Sequence, residues 1–349
     1  MAPFIMNPFR FSSGGSVGSW KELDRNILLS PNTEIDITGL PTKQYYMVIR
    51  HTLGRNASIS SNGGYELNAD GGANYAIRRA YIGDTGSTDV NFNDLDLWDT
   101  NNDQNFAVEY FSNVTGQEKL FYSQNLNSNV GGSSTAPFPV GITGKWANTT
   151  DAINQITLKT LSVQTWNTGS QVIVLGYDPT DTHTDTDNFW QELASVDLSG
   201  GTADDINSGT FAAKNYLCVQ TFMELDGGVN TITGNCTFNG DTGTLYSRSR
   251  SNNGAARSSG TDETSIDVRG GESKNRFDTM YISNRTVKEK LVNGNLIAAG
   301  SGASTAPDST IYGAKWDNSA AQVTQINFEN IDALGSYGVN SFMKVWGHD

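Results

Sequence analysis

Cysteine, histidine and charged side chains are all scarce in this chain of 349 residues, and each shortage excludes a class of protein. Two cysteines are too few for a disulfide framework. Cys218 and Cys236 flank a predicted turn and could face each other across adjacent strands, although we expect two buried thiols. The three histidines lie in separate segments, and none has HExxH metal-site spacing. Charged residues form only 17% of the chain, which disfavours long surface helices.

Positive charge is in short supply, and long apolar runs are missing. The formal net charge of −14 argues against a nucleic-acid partner, which requires a basic face, and against adsorption to an anionic membrane. No apolar run approaches the ~20 residues that cross a bilayer. Residues 1–19 show no basic segment followed by an apolar core, so no secretory signal is predicted there. We expect neither nucleic acid nor a membrane as a partner.

Motifs that position a catalytic nucleophile or a phosphate are also missing. The chain has no GxSxG elbow, no phosphate-binding GxxxxGK[ST] loop and no GxGxxG between a strand and a helix. A glycoside hydrolase would need two carboxylates across a cleft. Asp70 and Asp241 recur beside glycines, but "NADGG" and "NGDTG" are compositions typical of turns, in which Asp bonds its own backbone. The sequence therefore favours a non-enzymatic protein without a cofactor.

One acidic stretch, "DLDLWDTNND", is similar to the start of a calcium-binding EF-hand loop. Asp99, Asn101 and Asp103 stand at alternate positions, as the first ligands of such a loop do. The expected glycine is replaced by Gln104, and Tyr110 stands where a bidentate glutamate is required. We expect a solvated loop here, with a calcium site as the alternative.

The residues that are abundant predict β-structure and a duplication. Glycine occurs 37 times, and segments such as "QITLKTLSV" alternate apolar and polar residues with the period of a strand. "KWANTTDAINQI" from Lys145 returns as "KWDNSAAQVTQI" from Lys315, and "GSSTAP" returns as "GASTAP". The two copies are 170 residues apart, almost half the chain, and the match between them covers almost everything after residue 19. We predict an all-β protein with two tandem jelly-roll-like antiparallel β-sandwich domains from an internal duplication.

The duplication also sets the predicted domain boundaries. A flexible N-terminal arm spans 1–19, the first sandwich spans 20–178, a polar linker spans 179–189 and the second sandwich spans 190–349. Two such copies could occupy quasi-equivalent positions in an assembly, or convert a trimer into a pseudo-hexamer.

Aromatic residues are the remaining candidates for a functional role. Trp146 and Trp316 recur with the same neighbours, and we expect them to anchor the last hairpin of each sandwich as structural side chains. Phe4, Phe9 and Phe11 in the arm are possible assembly contacts, with a disordered terminus as the alternative. A further set of aromatics is predicted either to stack on sugars or to pack inside the sandwiches: Trp98, Trp166 and Tyr337.

The duplicated pattern resembles a known family. "FNGDTGTLY", "KWANTTDAINQITL" and "GSQVIVLGYD" resemble a β-sandwich module that is widespread in virion proteins of tailed bacteriophages, and the resemblance covers both copies. It implies a virion structural protein, such as a tail, fibre or capsid-surface decoration subunit, assembled in the host cytoplasm. Its expected partners are other copies of itself and other virion proteins. The alternative is a carbohydrate-binding adhesin that recognises a host surface glycan, with avidity raised by duplication.

Overall fold

The regular secondary structure of the described part of the chain consists of β-strands in the computed structural model. The structure describes residues 20–54, 63–82, 86–97, 104–129, 131–161, 164–181, 187–226, 232–272, 274–299, 303–304, 306–331 and 335–349. Within these ranges there are 24 strands and no α-helix. None of the described segments is a helix long and apolar enough to cross a membrane.

The first repeat contributes twelve strands in two sheets. They are β1 (Lys21–Ile27), β2 (Glu34–Thr38), β3 (Tyr45–Leu53), β4 (Gly63–Leu67), β5 (Tyr75–Tyr81), β6 (Ser87–Phe92), β7 (Leu95–Asp96), β8 (Gln104–Ser112), β9 (Lys119–Asn127), β10 (Phe138–Trp146), β11 (Gln155–Thr160) and β12 (Gln171–Tyr177). The larger sheet has the order β1-β12-β3-β8-β9-β10-β5-β6, and the smaller one has the order β2-β11-β4-β7.

The second repeat contributes another twelve strands. They are β13 (Gln191–Asp197), β14 (Asp205–Asn207), β15 (Tyr216–Met223), β16 (Ile232–Phe238), β17 (Tyr246–Asn252), β18 (Ser258–Glu263), β19 (Ile266–Glu272), β20 (Asn275–Ser283), β21 (Lys290–Ala299), β22 (Asp308–Trp316), β23 (Ile326–Asn330) and β24 (Phe342–His348). Their sheets, β13-β24-β15-β20-β21-β22-β17-β18 and β14-β23-β16-β19, repeat the first pair strand for strand. The predicted fold class, two tandem antiparallel β-sandwiches, is confirmed.

Alternating burial shows why these segments form sandwich strands. In β2 the sequence EIDIT buries both isoleucines and exposes the other three residues, as expected for a strand with one face toward a core. Central β3, between β12 and β8, is buried at eight of its nine positions. The two layers meet through aromatics: Tyr65 of the smaller sheet packs edge-on against Phe111 and Phe121 of the larger sheet.

The two compact bodies of the structure do not follow the repeats residue for residue. Unit 1 comprises Met1–Arg79, Ser87–Asn125 and Gly141–Gln191. Unit 2 comprises Ala80–Gly86, Leu126–Val140 and Glu192–Asp349. The segment that connects β9 to β10 therefore belongs to unit 2, although its sequence lies in the first repeat.

Candidate assembly site

The recurring tryptophan and the recurring aspartate of each repeat form a single contact. The Trp146 indole nitrogen donates to the Asp70 carboxylate at 2.7 Å, and the Trp316 indole donates to Asp241 at 2.9 Å. Both tryptophans are only 1% exposed. A tyrosine stacks on Trp146 in the first repeat and on Trp316 in the second, with 6.3 Å between ring centroids. The pair thus joins a turn to β10 or β22.

The aspartates also hold the turns in which they lie, as the turn composition predicted. Asp70 accepts a hydrogen bond from the Gly72 N–H at 2.9 Å, and Asp241 accepts one from the Gly243 N–H at 2.8 Å. Partial burial alone would raise the pKa of Asp70, but hydrogen bonds led by the Trp146 indole lower it overall. A carboxylate already engaged in this way is poorly suited to general acid–base chemistry.

Several residues singled out from the sequence cannot be placed. The calcium candidates Asp99, Asn101 and Asp103 lie outside the described residues, and so do the arm aromatics Phe4, Phe9 and Phe11. Both sets stay predictions. Across the part of the chain that the structure does describe, no group of three or more His, Cys, Asp or Glu side chains could hold a metal ion.

Other candidates are enclosed by the protein. His51 is fully buried, with its Nε2 atom 3.2 Å from the Gln104 side chain. Cys218 and Cys236 are free, buried thiols. The proposed sugar-stacking residues Trp166 and Tyr337, which are repeat equivalents, are 1% and 0% exposed. Trp98 lies outside the described residues.

Each sandwich also encloses a polar cluster that composition did not reveal. In the first repeat, the buried Glu109 carboxylate faces Arg50 at 3.3 Å and accepts a hydrogen bond from Ser123 at 3.0 Å. The Tyr65 hydroxyl also donates to Glu109. Arg50 and Glu109 are both 0% exposed, so no substrate can reach this cluster. It satisfies charged groups inside a core.

The second repeat has a similar cluster built from different positions. The Tyr312 hydroxyl donates to the buried Asp278 carboxylate at 2.9 Å, and the charge of Arg276 acts on the same group. Burial raises the pKa of Asp278 to about 7, against the opposing effects of Tyr312 and Arg276. With a shift of 171 residues, Asp278 corresponds to Ala107, since 278 − 171 = 107.

A surface of unit 2 is covered by the segment Leu126–Val140, which we call the covering segment. The Asp262 N–H donates to the Ser133 carbonyl at 3.1 Å, and the Ser133 hydroxyl donates to the Asp262 carboxylate at 2.7 Å. The Lys315 ammonium donates to the Ser128 carbonyl at 3.1 Å. Beneath the segment, Lys315 pairs with Glu289 at 3.9 Å, and their side chains are only 0% and 11% exposed.

We call this surface the covered face and define it by four residues, Asp262, Glu289, Gly313 and Lys315. Asp262 has φ of +51° in β18, an edge strand whose pairing with β17 is bulged. In this bulged region the Asp262 N–H donates to the Ser133 carbonyl. Gly313 permits a close approach of the segment, because a Cβ atom there would lie 2.1 Å from Leu126 Cδ1 and 3.0 Å from Pro139 Cγ. The covering segment thus packs directly on the backbone of β22.

Unit 1 carries the equivalent surface in an exposed state. We call it the open face, and its four corresponding residues are Asn91, Glu118, Thr143 and Lys145. Lys145 pairs with Glu118 at 2.9 Å, but the two side chains are 43% and 40% exposed. Asn91 repeats the backbone of Asp262, with φ of +57°, and is exposed, as is Thr143. The same pair is therefore sealed in one unit and accessible in the other.

Sequence reasoning noted that Lys145 and Lys315 recur but assigned them no role. The sequence does contain a signal for this contact. Lys145 recurs as Lys315 and Glu118 recurs as Glu289, and the two residue types repeat at nearly the same spacing. Such co-recurrence indicates a paired contact. The exposure of each Lys–Glu pair depends on whether another segment packs over it, and the two residues of the pair do not predict that packing.

Comparison with known proteins adds no relative. No family model matches the chain, and no curated protein matches it. Among solved structures, the transport unit of the autotransporter AIDA-I from Escherichia coli is matched over 82% of this chain and 90% of that chain, at 11% identity and a TM-score of 0.11. At that TM-score the likeness carries no argument about fold or function.

Proposed function

We propose that the protein is a non-enzymatic structural subunit of a tailed-phage virion. It serves in the tail, in a fibre or as a decoration of the capsid surface, and it assembles through the surfaces of its β-sandwiches in the host cytoplasm. Its partners are further copies of itself and other virion proteins. The resemblance of "FNGDTGTLY" and "KWANTTDAINQITL" to virion modules supports this proposal.

The observation that carries the proposal is the repeated strand order together with the position of the matched residues. Both repeats have the same eight-stranded and four-stranded sheets. The recurring residues Trp146 and Trp316, with Asp70 and Asp241, serve the framework of each sandwich. Duplication has kept a scaffold together with a Lys–Glu pair, which is exposed in the first repeat and covered in the second. A retained framework suits a subunit that assembles through its surfaces.

The buried chemistry supports a structural role as well. Glu109 and Asp278, the carboxylates held inside the two clusters, are 0% and 2% exposed. A general acid or base must come within hydrogen-bond reach of its substrate. These groups are better explained as satisfied core polar residues that specify packing.

Quantitative mass spectrometry of purified particles from the phage that encodes this chain tests the proposal. The protein is expected at a fixed copy number per particle, retained through density-gradient purification and located by a particle reconstruction. Its presence in lysate alone, with none in purified particles, would refute the virion role. A reconstruction with the two sandwiches in unrelated environments would refute the quasi-equivalent use of the duplication.

The adhesin alternative is less well supported by the described side chains. Trp166 and Tyr337 cannot stack on a sugar while buried, because the ring face must be accessible. Only Trp98 of the three named aromatics stays a candidate. Binding of the intact protein to defined glycans on an array, abolished by Trp98→Ala and retained in Leu29→Ala, would favour the adhesin over a purely structural subunit.

A further inference from the structure

The covered face and the open face are two copies of one surface, and within the described ranges a segment lies only over the covered face. The occupant of the covered face is the covering segment, whose sequence "GSSTAP" lies between β9 and β10. The second repeat carries the corresponding sequence "GASTAP" between β21 and β22. Among the described residues, Lys145 and Glu118 of the open face stay exposed, and the chain carries one further copy of the covering sequence.

The further copy of the segment is exposed where the covering segment is buried. Ser133 and Pro137 of the covering segment are buried. Their equivalents, Ala303 and Pro307, are exposed. Ile297, which corresponds to Leu126, is 36% exposed, whereas Leu126 is 0% exposed. An apolar residue, an alanine and a proline thus lie open on one short segment of unit 2.

We infer that the open face of one molecule binds exposed residues of a second copy of this chain that lie at the end of β21 and around the start of β22. These residues are Ile297, Ala303, Ser304, Ala306, Pro307 and Ser309. This inference deepens the assembly part of the proposed function by naming both partner surfaces. The contact is heterologous, because each molecule offers one open face and one matching segment. Repetition of such a contact joins copies head to tail.

Steric changes on the two sides are complementary. In the covered face, Gly313 leaves room for Leu126 and Pro139. In the open face, glycine is replaced by Thr143, which adds volume. On the opposing segment, Pro139 is replaced by Ser309, which removes the ring at the corresponding position. Leu126, the residue nearest to Gly313, is replaced by Ile297, which has the same volume but branches at Cβ. Loss of the proline ring therefore offsets part of the volume that Thr143 adds.

The open face can form equivalent polar contacts, because the covering segment is held on the covered face largely through its backbone. The Asp262 N–H donates to a carbonyl of the segment, and Asn91 has the same left-handed conformation in β6, the equivalent edge strand. Lys315 donates to the carbonyl of Ser128, and Lys145 stands in its place. Backbone acceptors do not depend on side-chain identity, so replacement of Ser133 by Ala303 removes only the hydroxyl contact.

Disulfide trapping tests this pairing directly. Asn91→Cys and Ala303→Cys are made in separate proteins, one of them carrying a size tag, and mixed under mild oxidation. The expected product is a covalent heterodimer in excess of either homodimer, since the equivalent Ser133 and Asp262 side chains are 2.7 Å apart. The double variant Ser133→Cys/Asp262→Cys is the positive control and should close within one chain. Closure of the control without the heterodimer would overturn the inference.

Analytical ultracentrifugation of the native full chain gives a second, independent measurement. Thr143→Arg on the open face is expected to weaken self-association at least about tenfold, because a long charged side chain occupies the contact. Thr38→Arg, an exposed position on the smaller sheet, should associate as the native chain does. Equal association of all three proteins, or a native chain that is monomeric at every concentration, would overturn the inference. Particle incorporation with a monomeric native chain would leave the virion role standing and remove only this contact.

Discussion

At the scale of single residues, the indole–carboxylate contact is the clearest link between the repeated sequence and the fold. Trp316 is buried, stacked on Tyr246 and bonded to Asp241, so one side chain connects β22 to the turn after β16. The same three interactions occur around Trp146. A recurring tryptophan with a recurring carboxylate 75 residues upstream can therefore be interpreted as a structural pair.

Trp316→Phe is expected to lower the free energy of unfolding by about 1–3 kcal/mol, because it removes the donor to Asp241 and leaves a small cavity. Urea denaturation followed by far-ultraviolet circular dichroism measures this change. Asp241→Ala should cost less in the Trp316→Phe background than in the native protein, since the two side chains share one contact. Strictly additive effects of the two substitutions would contradict the pairing.

Asp278 predicts a specific pH dependence of stability. Burial raises its pKa to about 7 in the folded protein from an ordinary value of 3.8, so between these two pH values the folded state binds a proton that the unfolded state does not. Stability from this group is then present at low pH and falls as pH rises from about 4 to about 7, by at most about 1.4 kcal/mol per unit. Asp278→Asn should abolish that part of the slope.

Denaturation midpoints measured across that pH range, for the native protein and for Asp278→Asn, check the prediction. The groups that act on Asp278 are Arg276, Tyr312 and Cys236, and none of them is altered in the variant. Identical slopes for the two proteins would show that Asp278 is ionised throughout and that its burial is compensated by Arg276.

At the scale of strands and sheets, the two sandwiches fill the same space with different residues. In the first repeat, Tyr65 of β4 occupies the core, and its equivalent in the second repeat is Cys236. In the second repeat, Tyr312 of β22 supplies the ring, and its equivalent in the first repeat is Ile142. The core tyrosine therefore lies in the four-stranded sheet of the first repeat and in the eight-stranded sheet of the second, although the strand order is the same in both.

Gly294 is the position that permits this exchange. A Cβ atom at Gly294 would lie 2.1 Å from the ring of Tyr312, and the first repeat has Ser123 at the corresponding position, where no such ring is present. Gly294→Ala should therefore destabilise the protein by about 1–3 kcal/mol through overpacking. In the Tyr312→Ile background the same substitution should cost much less, as a double-mutant cycle in urea would show. An equal cost in both backgrounds would contradict the proposed steric cause.

Strand alternation and the repeat were sufficient to predict the fold class, because both depend on local pattern. The sequence aligned Tyr65 with Cys236 and Ile142 with Tyr312, and each of these positions is apolar enough to be assigned to a core on its own. The exchange of ring positions could not be predicted, because it depends on which strands oppose each other across the two sheets. Side-chain direction between layers is tertiary information.

At the scale of the whole molecule, net charge and the proposed self-contact act against each other. The formal charge of −14 makes copies repel one another at low ionic strength. This repulsion follows from composition alone. Composition does not reveal the difference between the open and covered faces, since Lys145 and Lys315 lie in the similar contexts "GKW" and "AKW". That difference arises from the covering segment alone.

Self-association of the native chain is expected to strengthen as sodium chloride rises from about 20 mM to about 300 mM, because salt screens the repulsion between copies. Sedimentation velocity at fixed protein concentration measures this response. Thr143→Arg should show little association at either ionic strength. Weaker association at high salt would instead indicate that attraction between opposite charges, such as Lys145 with a carboxylate of the partner, dominates the contact.

The two buried thiols allow the opening of the second sandwich to be measured by thiol labelling. Cys218 and Cys236 both lie in the second repeat, and the first repeat has no cysteine. Burial raises the pKa of both thiols, so a thiol-specific reagent cannot modify them until the surrounding sheets open. The labelling rate of the native protein therefore times the opening of the second sandwich selectively, and it does so without any engineered probe.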